Sequence, residues 1–453
     1  MPDVRELAAD ALVRMERDSV HVRDVVEALR ASVTDPRDRG LLTEILYGVA
    51  RRRPTLDHLI GAASTVPVQK LEPAVRAALR LGLYQALFLE RVPPHAAVDT
   101  AVDYAKARTN PRLAGFVNGV LRGILRSVEG RASGAPDLAR DLPRPGTAPL
   151  RFRRAAFPDP VADPAANLGA RYSMPTWLVR RWLDRFGPDV TGRLLLHGIE
   201  RPALVLRARP GSREALLAEL AGSGVTARAG EGPDEVVCPG GDASALLPVK
   251  EGRAAVQDGT AQRVAALAAP RPGDRILDLC AAPGGKTLHL LELLGDRGEV
   301  VAADASTEKV EALSAVLAAR PRPPELLARA VVVFEEGPLP FPDASFDAVV
   351  VDAPCSNTGV LRRRPEVRTR LEPKDVASLA VIQRSLLARA LPLVKPGGRL
   401  VYATCSVEPE EGEDLVRAFL AAHPALVRGP GFDVLPDASR DGGFAATFVL
   451  PAV

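Results

Sequence analysis

Three short stretches in the second half of the chain hold most of the side chains able to do covalent or proton-transfer chemistry. They are Asp278-Leu-Cys-Ala-Ala-Pro-Gly-Gly-Lys-Thr287, Asp352-Ala-Pro-Cys-Ser-Asn-Thr-Gly359 and Tyr402-Ala-Thr-Cys-Ser-Val-Glu408. Each follows or begins in an apolar run of the kind that forms a buried strand, then turns through small residues. Cys280, Cys355 and Cys405 are thereby expected at the carboxyl edge of one sheet, beside Asp352. A single thiol is most often a small buried hydrophobe. Two that leave Val-rich strands, both followed by Ser, point to function instead. The thiolate is the nucleophilic form, and the loop amides or Lys286 could supply the positive field that lowers a thiol pKa.

The first stretch also reads as a ligand loop. A strand over Arg275 to Leu279 turns through Pro283-Gly284-Gly285 into a helix over Leu288 to Leu294, which lets backbone amides face a bound group. A phosphate-cradling Walker loop fits only at its end, Gly285-Lys286-Thr287, because Cys280 stands where the first Gly belongs. The dinucleotide fingerprint Gly-x-Gly-x-x-Gly is absent. The next strand, Glu299-Val-Val-Ala-Ala-Asp304, ends in an acid placed to accept both hydroxyls of a ribose. Asp304 could instead only cap the helix that begins near Ser306. A nucleoside site without a phosphate clamp suggests S-adenosylmethionine as cofactor.

These elements sit in a chain of 453 residues, enough for two or three domains, each with a sizeable core. The formal net charge is only +3, so nucleic-acid binding would have to come from local clusters such as Arg51 to Arg53, Arg151 with Arg153 and Arg154, Arg180-Arg181, and Arg362 to Arg364. Aromatic residues make up 4% of the chain, too few for extensive base stacking. The four cysteines form no Cys-x-x-Cys pair and no His cluster joins them, so neither zinc nor another metal is expected. Their placement favours free thiols in a reducing cytoplasm. No signal-peptide pattern and no run of about 18 apolar residues is evident, so no membrane partner is expected.

From Val4 to Arg126 the apolar spacing predicts at least five helices, punctuated by Pro36, Pro54, Pro73, Pro93-Pro94 and Pro111. Residues 129–165 are rich in Pro, Gly, Ala and Arg and read as a linker or extended wrap. A helix around Met174 to Phe186 follows, with Trp177, Leu178, Trp182 and Phe186 on one face. A strand at Ala203 to Leu206, a helix at Arg213 to Leu220 and a strand at Val225 to Arg228 then suggest a small α/β module.

Ala77-Ala-Leu-Arg-Leu-Gly-Leu-Tyr-Gln85 and Val92-Pro-Pro-His-Ala-Ala-Val-Asp99, with Gly115-Phe-Val-Asn-Gly-Val-Leu-Arg122, resemble the NusB-like helical RNA-binding domain. The three cysteine motifs resemble those of RNA 5-methylcytosine methyltransferases. Together, over nearly the whole chain apart from the linker, they resemble the bacterial RsmB/Sun (Fmu) family. That resemblance implies a multidomain α plus α/β chain: a NusB-like bundle over 1–128, a linker over 129–165, a small RRM-like α/β module over 166–253, and a Rossmann-like methyltransferase domain over 254–453. It implies methyl transfer from S-adenosylmethionine to carbon 5 of one cytosine of 16S rRNA, cytosine 967 in the family, with transfer RNA as the alternative substrate. It also implies an adduct through Cys405, release assisted by Cys355, and Asp352 near ring nitrogen 3. The cofactor contacts carry over to Cys280, Ala281, Ala282, Pro283, Gly284, Gly285, Lys286, Asp304 and Asp352, with Glu335, or its neighbour Glu336, as the adenine-side acid. Arg51 to Arg53 would lie on a phosphate-contacting face, and Arg362 to Arg364 would reach phosphate beside the Cys355 loop. A monomer is expected. Thr369 replaces a common Trp, and Asp441-Gly-Gly-Phe444 replaces Asp-Gly-Phe-Phe.

Overall fold

The computed structural model describes residues 3–18, 20–334 and 336–452. The chain divides into two compact units, Met1–Glu200 with Leu361–Leu371, and Arg201–Val360 with Glu372–Val453.

The first unit opens with six helices: α1 (Val4–Arg17), α2 (Val22–Arg30), α3 (Pro36–Ala63), α4 (Pro73–Phe88), α5 (Pro94–Arg108) and α6 (Pro111–Ser127). Four of them begin at a proline, whose missing N–H costs nothing in the first turn. Asp35 caps α3 by accepting from the amides of Arg37 and Asp38, and Asn110 caps α6 by accepting from Leu113. Pro54, read from sequence as a helix boundary, lies inside α3. Leu42, Ile45, Leu46, Val49, Leu56, Leu59 and Ile60 bury one face of α3 on both sides of it, and that packing outweighs the lost backbone bond. Gly48 is required where α3 meets α4, since a Cβ there would stand 2.0 Å from the Tyr84 ring.

The stretch read as a linker is ordered. Strands β1 (Val128–Arg131), β2 (Asp141–Leu142) and β3 (Leu150–Phe152) form a three-stranded antiparallel sheet in the order β1-β3-β2. Leu142, Phe152 and Phe157 enter the same core as the helices. Arg151 pairs with buried Asp141 at 2.7 Å, so it is internal scaffolding. Low periodicity hid this segment because so few of its side chains carry the packing. Helices α7 (Pro164–Tyr172) and α8 (Thr176–Ile199, broken at Gly187, φ 72°) complete the run. They belong to this first unit and not to the module expected over 166–253. Thr55 of α3 donates to the carbonyl of Ala170, and Arg171 donates to that of Asp141.

The arginine run of α3 is not a phosphate face. Arg51 and Arg52 are buried, Arg51 donating to the carbonyl of Arg362 and Arg52 to that of Pro143, with Arg52 stacked over Phe88. Burial lowers the Arg52 pKa to about 9. Arg53 is paired with Glu16 at 2.7 Å. Arg362 is likewise buried. Their spacing on one helix turn was visible in sequence; the acceptors that draw them inward come from distant segments.

The second unit starts with β4 (Leu204–Ala208), α9 (Arg213–Gly222), β5 (Arg228–Ala229), β6 (Glu235–Cys238), α10 (Leu247–Lys250) and β7 (Ala254–Val256). Its four strands are antiparallel in every pairing, in the order β5-β6-β4-β7. Then come α11 (Gly259–Leu267), β8 (Arg275–Leu279), α12 (Gly285–Leu294), β9 (Gly298–Asp304), α13 (Thr307–Ala318), β10 (Leu326–Val332) and β11 (Phe346–Asp352). After the short α14 (Val367–Arg370), which belongs to the first unit, follow α15 (Pro373–Ala390), β12 (Val394–Thr404), α16 (Glu413–Ala422), β13 (Val427–Val434) and β14 (Gly443–Val449). The seven-stranded sheet runs β10-β9-β8-β11-β12-β14-β13, parallel through the first five strands and antiparallel at β14 and β13. Ile276-Leu277, Val300 to Ala303, Ala348 to Val351 and Leu400 to Ala403 are buried, as expected of parallel strands covered on both faces. By length and composition alone the segment Pro373–Leu393 could cross a membrane. Val376, Ala380, Gln383 and Leu387 of this segment are buried, so part of that composition serves packing.

Candidate active site

Chain order reverses between β8 and β11, so the crevice at their carboxyl ends is where an open α/β sheet binds ligands. The three stretches singled out from sequence all end there: the loop after β8, the loop after β11 and the loop after β12.

The β8 loop is shaped by backbone geometry. Cys280 has φ 64°, the Ala282–Pro283 bond is cis, and Gly284 (φ 99°) is the residue before α12. A side chain on Gly284 would strike Leu313 at 2.4 Å, whereas a Cβ on Gly285 would meet nothing nearer than Gln257 at 4.0 Å. Gly285 therefore opens on free space at the start of α12, a cradle suited to a close backbone approach by a ligand. Asp304, at the end of β9, accepts from the amides of Ala282 and Ser306, each at 3.2 Å, so it braces the loop as well as facing the crevice edge. Burial first, and then the nearby Asp304 and Asp352, push the Cys280 thiol up to about 12. Cys280 is thus a neutral wall residue. These groups fit a nucleoside cofactor without a phosphate clamp. Glu335, the expected adenine-side acid, lies outside the described residues; Glu336 is exposed in the turn that follows.

Lys286, in the first turn of α12, donates to Asp352 at the end of β11 over 2.5 Å. Burial disfavours the ammonium, but the Asp352 charge and hydrogen bond outweigh it, and Asp278 and Cys405 add to the same effect, so the Lys286 pKa is raised. Cys355 and Cys405 come together with their sulfurs 3.2 Å apart, although 50 residues separate them in sequence. Cys405 also donates to the side-chain carbonyl of Asn357 at 3.1 Å, and Asn357 donates to the Cys355 carbonyl at 2.7 Å. The hydrogen bond with Cys405, then burial, holds the Cys355 thiol well above its usual range. Cys405 is the less buried of the two.

Two acids in this region were missed as functional candidates. Asp278, inside β8, is fully buried; it accepts from Thr287 at 2.6 Å, its other oxygen has no hydrogen-bond partner among the described residues, and burial raises its pKa to about 7. Glu411 is also fully buried and lies against Ser356. Glu411 was legible only as part of a Pro-Glu-Glu run six residues after Cys405. The variant Asp441-Gly-Gly-Phe444 stretch now has a physical account. A Cβ at Gly443 would sit 2.9 Å from the Thr404 carbonyl and 3.2 Å from Thr260, leaving no room for a ring there without a shift. Phe444 fills the core instead, beside Tyr402. Thr369 donates to the carbonyl of Glu366 within the first unit, and nothing in its contacts explains the absence of a Trp.

A family model described as 16S rRNA methyltransferase RsmB/F matches residues 264–431, and a NusB family model matches residues 2–126. Among curated relatives, ribosomal RNA small subunit methyltransferase B of Erwinia tasmaniensis is 34% identical, over 98% of this chain and 97% of that protein. The enzyme of the same name from Sodalis glossinidius is also 34% identical, over 99% and 98%. The crystal structure of PH0851 superposes with a TM-score of 0.76 at 25% identity, covering 99% of both chains. The chain belongs to the ribosomal RNA small subunit methyltransferase B family, with a NusB domain at its head and an S-adenosylmethionine-dependent methyltransferase domain behind it.

Proposed function

We propose that this chain methylates carbon 5 of a single cytosine in 16S rRNA, through a covalent bond between Cys405 and carbon 6 of the base. The observation that carries the proposal is the pair of thiols 3.2 Å apart at the sheet edge where the Lys286–Asp352 pair also ends. Carbon 5 of cytosine is a weak nucleophile. Addition of a thiolate at carbon 6 makes carbon 5 enamine-like. S-adenosylmethionine, when bound, supplies the methyl group.

The chain's own residues divide the remaining work. Cys405, the more accessible thiol, loses its proton to solvent, and the thiolate then forms a sulfur–carbon bond to carbon 6. The ring charge that develops at nitrogen 3 is met by a second N–H of the Lys286 ammonium, which its hydrogen bond to Asp352 holds in place. After methylation the proton on carbon 5 passes to solvent, the carbon 5–carbon 6 double bond re-forms, and the sulfur–carbon bond breaks. Cys355, kept protonated by its surroundings, can return a proton to the departing Cys405 sulfur. The target base must be in a loop or flipped out, since a stacked base cannot present carbon 6 to a thiol. The β8 loop, Asp304 and Lys286 hold the cofactor side of the crevice.

The test is methyl transfer from radiolabelled S-adenosylmethionine to unmodified 16S transcript, with bisulfite mapping and transfer RNA as competitor. One labelled cytosine in the transcript is the expected result. Labelling of transfer RNA alone would overturn the substrate while leaving the chemistry.

A further inference from the structure

We infer that Glu411 is the positioning residue that sets the spacing of the two thiols. Both cysteine motifs continue with Ser, and the structure gives a reason. The hydroxyls of Ser356 and Ser406 lie 3.0 Å apart, and Thr358 lies 3.3 Å from the first and 3.2 Å from the second. Under this cluster is the fully buried Glu411 carboxylate. One oxygen accepts from the Ser356 amide at 2.8 Å and from Gln383 at 2.9 Å, and the other accepts from the Ser356 hydroxyl. The Ser406 hydroxyl is joined to this carboxylate through the Ser356 hydroxyl, 3.0 Å from it.

The backbone of Glu411 is fixed too. Its carbonyl accepts from Tyr402 at 2.8 Å and from Thr404 at 3.2 Å, both on the strand that delivers Cys405. Gln383 in turn donates to the carbonyl of Pro354, immediately before Cys355. A single acid therefore holds the residue after Cys355 directly, the residue after Cys405 through the Ser356 hydroxyl, and, through Gln383, the residue before Cys355. Each of these side-chain partners is a neutral donor. A carboxylate has only acceptor sites to offer such a set, whereas a Gln in its place would turn N–H groups toward donors. The fully buried acid is retained because several converging donors need one acceptor.

The inference rests on the reading that the two thiols carry the reaction, but its test need not use that reaction. Phenylarsine oxide bridges two neighbouring thiols, forming two arsenic–sulfur bonds and releasing water. In the full chain, the arsenical bridge between Cys355 and Cys405 is followed by intact mass and peptide mapping. The native chain should form it rapidly. Glu411→Gln should form it at least about 10-fold more slowly, as loss of a hydrogen bond to a charged group predicts. The same variant should lose kcat by a similar factor while its dissociation constant for S-adenosylmethionine, read by calorimetry, stays within about twofold. Ser406→Ala, a gentler change in the same cluster, should slow bridging in the same direction and covers the case in which Glu411→Gln does not fold. Native bridging rates in Ser406→Ala, or in a folded Glu411→Gln, overturn the inference. Full activity in Cys405→Ala would instead remove the nucleophile assignment and leave the bridging result intact.

Discussion

Sulfurs 3.2 Å apart cannot both carry charge without opposing one another, so the pair is expected to hold one proton between them once the first is lost. With Cys355 as the protonated member, the two thiols take different parts. Cys405→Ala should abolish methyl transfer, by at least about 10³-fold, while leaving S-adenosylmethionine binding unchanged by calorimetry. Cys355→Ala should accumulate a protein–RNA complex that survives a denaturing gel, and its absence under turnover would remove Cys355 from release. Asp278 offers a pH test. Its folded-state pKa of about 7 lies above the ordinary carboxylate value, so between about pH 4 and 7 the folded chain binds more protons than the unfolded one. Its contribution to stability is full at acid pH and is lost as pH rises. Asp278→Asn should therefore gain stability relative to the native chain between pH 5 and pH 8, read as a larger Tm difference at pH 8.

At the level of elements, close approach and burial decide positions that composition leaves open. Helices α3 and α4 meet at Gly48, where the Tyr84 ring fills the space a side chain would take. Gly48→Ala should cost about 1–3 kcal/mol through overpacking, despite the higher helix propensity of Ala, and urea unfolding would measure it. Arg52 makes the complementary case. Its guanidinium lies over Phe88 and donates to the carbonyl of Pro143, so Arg52→Ala should cost stability of about 2 kcal/mol or more. It should leave the salt dependence of RNA binding unchanged, because a buried arginine releases no counterions from a phosphate backbone.

For the whole molecule, the small net charge of +3 and the inward-facing arginines mean that association with RNA cannot rest on bulk polycationic attraction. A cofactor that binds only the folded chain must also stabilise it. At about 100 times its dissociation constant, S-adenosylmethionine should add about 2.7 kcal/mol, seen as a rise in Tm that saturates logarithmically with concentration. A Tm indifferent to the cofactor would contradict the shape of the β8 loop and Asp304.

The sequence by itself determined the local chemistry: Val-rich strands suited to burial, prolines at the starts of four helices, a Gly-Gly turn before Lys286, and two Cys-Ser corners. Those properties depend on near neighbours in the chain, which is why the helical head and the parallel strands were legible. Only the tertiary structure decided what depends on partners far away. It turned Arg51, Arg52 and Arg362 inward onto carbonyls, carried the helix through Pro54 on the strength of its buried face, and folded residues 128–152 into a sheet around a few apolar anchors. It also moved α7 and α8 into the first unit. Above all it set Cys355 beside Cys405 and placed Glu411 beneath them, because hydrogen bonds between segments 50 residues apart leave no periodic trace in the sequence that makes them.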